Sequence, residues 1–262
     1  MTAPALAKDV AGQRFYNVDG RDLPSVSTVK QVVASPAIET WKRKRVAAAL
    51  AADPELLAMA ADEKTLYRAT QIALDRDNTA ADFGTAVHAA VEFFEQTGEI
   101  VAVDCADDIA DNVEACVRNY VELKHQVQFE TVQVERTVAN ITVGYAGTLD
   151  QMIRIGGSLM IADVKTGSRN AIREKVGGFA YQLSAYANAE GWVTADGQLD
   201  PFTADEVPLP HRGAIIWLDP TFAELWFVEL SEAWEALRAQ TVLFAAERGK
   251  GTWAAEAWRV DA

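Results

Sequence analysis

Two aspartates and a lysine share a stretch of period-two sequence, GTLDQMIRIGGSLMIADVKTG at 147–167: Asp150, Asp163 and Lys165. Gly156-Gly157 at its middle suits a two-residue hairpin loop, because both central positions of a type I′ turn need positive φ. Counting outward from that loop pairs Ile155 with Ser158, Ile153 with Met160 and Met152 with Ile161. The same register sets Asp150 directly opposite Asp163. Opposed residues share a face, with Cβ atoms about 4.5–5.5 Å apart. Lys165, two residues further on, shares that face. Like charges in this position destabilise a strand pair. Among Met152, Leu159 and Ile161 they would raise each other's pKa unless a cation intervened. Carboxylate, carbonyl and water oxygens are what Mg2+ or Mn2+ takes, so one or two such ions would resolve the conflict. The lysine would then be a point charge beside the attacking water or a phosphate. The plainer reading is an Asp–Lys–Asp ion cluster on a solvated sheet face, and register alone leaves both open.

These residues need a sheet to hold them, and the order of elements supplies one. Residues 1–12 read as loosely attached. RFYNVDGRDLPSVSTV reads as a strand, a turn at Asp19-Gly20 and a helix capped by Ser25 or Ser27. Helices follow over about 37–52, 55–75, 77–98 and 106–126, in sequence rich in Ala, Leu and Glu. The period then changes to two, with strands at about 129–138, 144–155 and 158–166. A helix at 179–190 holds Gln182 and Tyr186, four apart and therefore on one face. A polar loop at 194–210, the strands GAIIWLD and AELWFVEL, and a helix at 231–248 complete the chain. Helices before and after a run of strands predict an α/β fold with a mixed central sheet. The change of period divides a helical N-terminal section, 1–128, from a core, 129–262, within one compact domain. Trp192, Trp217, Trp226, Trp234, Trp253 and Trp258 read as packing aromatics.

Composition narrows the possibilities. The chain has 262 residues and half are hydrophobic, so a full core needs no staples. Cys105 and Cys116 form no CxxC, which argues against a disulfide framework, a zinc site or an iron–sulfur cluster. No apolar run approaches the ~18–20 residues that span a bilayer, and no signal pattern opens the chain, so a cytoplasmic protein is expected. The net charge of −14 argues against a passive binder of phosphate backbones. It says less against an enzyme holding a strand in a cleft, where local charge decides. WKRKR at 41–45 and KTGSRNAIREK at 165–175 are basic islands, and solvated helix faces are their ordinary explanation.

Four short motifs now stand in order: GTAVHAAVE with His88, GTLD ending in Asp150, IADVKTG with Asp163 and Lys165, and YQLSAY with Gln182 and Tyr186. Together they resemble the PD-(D/E)XK nuclease superfamily, in its RecB-like and phage exonuclease branch. LPSVSTV followed by Trp41-Lys42 is similar to the opening of the mitochondrial genome maintenance exonucleases. The likeness covers about 15–190. It implies a restriction-endonuclease-like core. It implies His88, Asp150, Asp163 and the Val164 carbonyl as metal ligands, and Lys165 as the residue that orients or helps deprotonate water. Gln182, Tyr186 and Thr166 would line the site. Ser25, Thr28 and Trp41 would meet the substrate, although capping by Ser25 and core packing by Trp41 explain them equally well. Glu135 matches an acidic position of the family, beside the metal or behind its ligands.

The resulting expectation is a Mg2+- or Mn2+-dependent deoxyribonuclease, an exonuclease rather than an endonuclease, without an iron–sulfur cluster. Its substrate would be single-stranded DNA or a duplex end, with a recombination or replication protein as partner. It would act in a bacterial or phage-infected cell, in DNA recombination, repair or replication. The alternative is a non-catalytic DNA-binding or scaffold protein on a degenerate nuclease fold.

Overall fold

Gly156 and Gly157 both have positive φ (54° and 83°), so the central hairpin turns tightly. The computed structural model describes residues 7–10, 12–33, 36–75, 79–103, 105–168 and 171–248. Strand β5 (Tyr145–Ile155) and strand β6 (Ser158–Thr166) pair antiparallel from Ile155↔Ser158 to Gln151↔Ala162. That is the register counted from the loop. Beyond Ala162 the partner changes, and β6 runs parallel to β9 (Arg212–Asp219). A parallel pair needs a crossover, and α7 (Ala171–Ala187) lies within it. Strands β4 (Glu130–Asn140), β7 (Gly191–Val193), β8 (Leu199–Pro201) and β10 (Phe222–Glu229) complete a seven-stranded mixed sheet, order β10-β9-β6-β5-β4-β7-β8.

Central strands β6 and β9 are buried along nearly their whole length, as strands covered on both faces must be. On one face Met152, Ile161, Ile215 and Trp217 pack with Val29 of α1 (Val26–Lys30), Leu183 of α7 and Leu237 of α8 (Ser231–Glu247). On the other, Ile153, Met160, Val164 and Ile216 pack with Val87 and Val91 of α5 (Thr79–Thr97) and with Val117 and Tyr120 of α6 (Asp107–Val127). Each such side chain contributes about 1.5–3 kcal/mol by leaving water. A division at 128 therefore runs through a core: α5 and α6 are one outer layer of the sheet.

The N-terminal section is not wholly helical. Strands β1 (Ala7–Val10), β2 (Gln13–Val18) and β3 (Arg21–Pro24) form a separate three-stranded sheet. Asp19 and Gly20, both at positive φ, make its second turn. Tyr16, Val18 and Leu23 pack it against Ala139, Ala146 and Val193 of the large sheet. Residues 7–10, expected to be loose, are the strand β1. The expected 55–75 helix is two, α3 (Pro54–Ala61) and α4 (Leu66–Asp75). Asp53 caps the first through the amides of Glu55 and Leu56. With α2 (Pro36–Ala52) they share a small cluster around Leu56, Ala69 and Ala73.

Helix α7 begins well before residue 179, and two short strands interrupt the expected polar loop. Trp192 and Trp217 are buried and Trp226 and Trp234 partly so; Trp253 and Trp258 lie outside the described residues. Among the described residues, no helix is long and apolar enough to cross a membrane.

Candidate metal centre

The site lies where β5 and β6 part. Gln151↔Ala162 is the last ladder pair, and Asp150 and Asp163 are the next residues on each strand. There the ladder gives way to a side-chain contact: the Val164 amide donates to Asp150 Oδ2 at 2.9 Å. Asp163 is only 1 % exposed. Lys165 Nζ lies 2.6 Å from Asp163 Oδ2 and 3.8 Å from Asp150 Oδ2, and donates to the Val164 carbonyl at 3.0 Å. Asp163 Oδ1 has no hydrogen-bond partner, and Oδ2 has only the Lys165 ammonium beside it.

A second neighbour comes from β4, which gains one residue between Thr131 and Gln133, a β-bulge. Val134↔Gln151 and Arg136↔Leu149 bracket Glu135, so the bulge sets Glu135 across from Asp150. Without it Asp150 would face Val134. Glu135 adopts φ 47° inside a strand, a left-handed conformation that costs a non-glycine residue about 1–2 kcal/mol and that clusters at functional sites.

Helix α5 brings the third group. A Cβ on Gly84 would stand 3.2 Å from Thr166 Oγ1, so glycine there lets α5 lie close to the end of β6. One turn on, His88 Nδ1 is 3.4 Å from Asp150 Oδ2. Ligand atoms of His88, Glu135 and Asp150 all lie within 4.8 Å of one another, a spacing that could hold a metal ion. Asp163 stands beside this trio rather than in it, and Glu135 has a more direct place than a supporting one.

Burial sets the electrostatics. It raises the pKa of Asp163 to about 7, with the Asp150 charge adding and Lys165 opposing. Burial also raises Asp150, against the pull of Lys165 and of the Val164 amide. Glu135 is raised by desolvation first and by Asp150 and Glu92 next; as an exposed residue it is partly screened by water. Burial and the Lys165 charge push His88 down to about 4, which leaves a neutral imidazole with a lone pair for a ligand. For Lys165, burial works downward, but Asp163 and Asp150 outweigh it and raise the pKa. Desolvating each carboxylate costs several kcal/mol, so one lysine cannot compensate the whole acidic set. The unpartnered Oδ1 of Asp163, the neutral histidine and the surplus of carboxylates all fit a divalent cation.

Tyr186 stands near enough to feel the charges of Asp150 and Asp163, and Gln182 is its neighbour on α7. The Gln182 amide donates to the Tyr186 hydroxyl at 3.4 Å. The Tyr186 ring packs so closely over Gly147 that a Cβ there would lie 2.7 Å from it. The glycine of GTLD and the tyrosine of YQLSAY are therefore two sides of one contact. A cleft of about 490 Å³ opens on the site, with His88, Glu135, Lys165 and Thr166 in its wall.

Three residues expected at the substrate lie elsewhere. Ser25 and Thr28 are buried. The Thr28 amide donates to Ser25 Oγ, the Ser25 hydroxyl to Thr28 Oγ1, and the Thr28 hydroxyl to the Arg14 carbonyl. Both are committed to capping α1 and tying it to β2. Trp41 is 53 % exposed on α2, so it is not a core residue, and Arg45 stacks on it at 5.0 Å. It lines a different groove, with Lys44 and Arg45.

Glu92, Phe179 and Lys30 join the surroundings of the site without a motif to mark them. Glu92 follows His88 by four residues and lines the same cleft, so helical spacing alone could have found it. Phe179 lies under Lys165 Nζ at 5.6 Å from the ring. Lys30 feels the charges of Asp163 and Lys165, and no spacing in the sequence announces it. No protein-family model matches this chain, and no curated protein matches it either.

Proposed function

We propose that this protein is a metal-dependent DNA exonuclease with a restriction-endonuclease-like core, acting on phage or bacterial DNA in recombination, repair or replication. One observation carries the reading: a buried Asp163, with Oδ1 unpartnered and Oδ2 held only by Lys165, stands beside His88, Glu135 and Asp150 in an open cleft. His88, Glu135, Asp150 and Asp163 would hold Mg2+ or Mn2+, with the Val164 carbonyl beside them. Such an ion supplies a Lewis acid that activates water and offsets charge on the phosphate.

The protein's own groups supply the rest. Lys165 stands beside Asp163 and Asp150, where its ammonium orients water and stabilises negative charge on the phosphate. The Asp150 carboxylate is fixed by the Val164 amide and so keeps its direction when charge nearby changes. Tyr186 and Gln182 form the wall behind β5, with the tyrosine position set by Gly147.

The test is degradation of end-labelled linear DNA with Mn2+, by the wild type and by Lys165→Ala. The wild type should shorten linear DNA and leave a covalently closed circle intact, and the variant should leave both unchanged. Equal degradation by both, or by neither, overturns the reading. Single-stranded RNA in competition decides whether DNA is the preferred substrate.

A further inference from the structure

Two glycines inside α7 have no packing reason to be there. Gly177 and Gly178 are exposed, and a Cβ on either would meet nothing within 4 Å. Glycine is among the least favourable residues in a helix interior. Elsewhere the fold uses it for close contacts, as at Gly84 and Gly147, where a Cβ would meet Thr166 and Tyr186. A bare helix surface with open space above it is what a ligand backbone needs for close approach.

A cation marks the spot. Lys30, the last residue of α1, donates from Nζ to the Gly178 carbonyl at 2.7 Å. That bond uses one of the ammonium's three donors. Among the described residues no carboxylate makes an ion pair with Lys30. The next residue along α7 is Phe179, whose ring lies 5.6 Å from Lys165 Nζ. Lys30, Gly178, Phe179 and Lys165 thus form a continuous row ending at the acidic cluster. Its charge is the reverse of the chain's, −14 overall.

We propose that this row is a strand track, in which Lys30 holds a phosphate of the nucleic acid and the Gly177-Gly178 surface receives the adjoining sugar–phosphate backbone. It deepens the nuclease reading and rests on it for the identity of the substrate. Lys30 is partly buried, and its bond to the helix carbonyl orients the ammonium before the substrate arrives. Less conformational entropy is then lost on binding.

Fluorescence anisotropy of a labelled single-stranded oligonucleotide on the full chain, with Ca2+ in place of Mn2+ to limit cleavage, tests the track. Gly178→Leu should leave Tm unchanged or higher, since leucine favours a helix more than glycine, yet weaken binding several-fold. Lys30→Gln should weaken binding and reduce the slope of log K against log salt by about 0.7, the value for one phosphate contact on a single strand. Lys30→Arg should restore the slope. Wild-type affinity and slope in both Gly178→Leu and Lys30→Gln would overturn the track even if the enzyme cleaves DNA. Weakened binding in both, in a wild type that binds but never cleaves with Mn2+, would support the track while the nuclease reading fails. A wild type that binds no oligonucleotide overturns both.

Discussion

Two carboxylate–lysine clusters lie close to the central hairpin, one between α5 and α6 and one on β5 and β6, and they are built to opposite ends. In the first, Glu95 of α5 receives Tyr120 at 2.6 Å and Lys124 at 2.6 and 2.7 Å, while Lys124 also reaches Thr131 at 3.1 Å. The Tyr120 hydroxyl lies 3.1 Å from Gln151 Oε1. Both oxygens of this carboxylate are engaged. In the second, Asp163 is more deeply buried and has a lysine just as near on Oδ2, but its Oδ1 has no partner. Ingredients alone do not separate a structural ion pair from a working site. The separation lies in whether the carboxylate's lone pairs are used up. A satisfied network rigidifies a core, whereas an unsatisfied one carries a standing cost that a ligand can relieve.

The sharpest way to break this contrast is to exchange the two clusters' losses. Asp163→Asn should cut DNA cleavage by about a hundred- to thousand-fold, the scale for losing one charge-stabilising group, yet raise the thermal stability of the metal-free protein by removing a buried like charge. Lys124→Met should do the reverse. It strands Glu95 at a cost of about 3 kcal/mol, and the cleavage rate per folded molecule stays at the wild-type value. Melting curves and rates measured together check both, and a destabilised Asp163→Asn would mean the second cluster is structural as well.

Gly147→Ala should come next in size. The new methyl group meets the Tyr186 ring, an overpacking worth about 1–3 kcal/mol, and activity falls with the displaced ring. Adding Tyr186→Phe should not recover it, because the ring carbons clash too.

A smaller effect is a pH slope. Asp163 titrates at about 7 in the folded chain against an ordinary 3.8. Between those values the folded state holds the proton more tightly, so the slope of stability with pH is negative. Metal-free protein should lose stability as pH rises toward 7, and Glu135, raised to about 8, prolongs the loss past that point. Mn2+ takes the ionised carboxylates, so it should raise Tm more above that point than below it. Thermal scans with and without Mn2+ measure this, and Asp163→Asn should lessen the slope, leaving the share of Asp150 and Glu135. A wild-type slope of positive sign would mean that Asp163 is held ionised by partners other than a metal.

The smallest expected effect tests inertness. Burial, with Asp219 nearby, pushes the Cys116 thiol up to about 12, and the side chain is buried. A thiol reagent should label Cys105 in native protein and reach Cys116 only after unfolding.

Much of the hairpin was legible in the sequence. Gly156-Gly157 fixed the turn, the turn fixed the pairing down to Gln151↔Ala162, and that pairing put Asp150 and Asp163 side by side. Local rules suffice there because period-two alternation and a positive-φ turn are properties of a few consecutive residues. The substrate roles of Ser25 and Thr28 came from motif resemblance, and their buried hydrogen bonds put them in a cap. Glu135 could not be placed from VQVERTV. An alternating strand does not announce its bulge, and the bulge alone decides which residue faces Asp150.

By itself the sequence determined the mixed α/β class, the central register and the lysine two residues beyond the second aspartate. Only the tertiary structure decided that α5 is a sheet layer carrying His88 to Asp150, that Gly147 and Tyr186 are one contact, and that Lys30 stands over a glycine pair on α7. The reason is range. Register and periodicity act between neighbours in the chain, whereas desolvation and unused lone pairs depend on what distant segments bring to the same place.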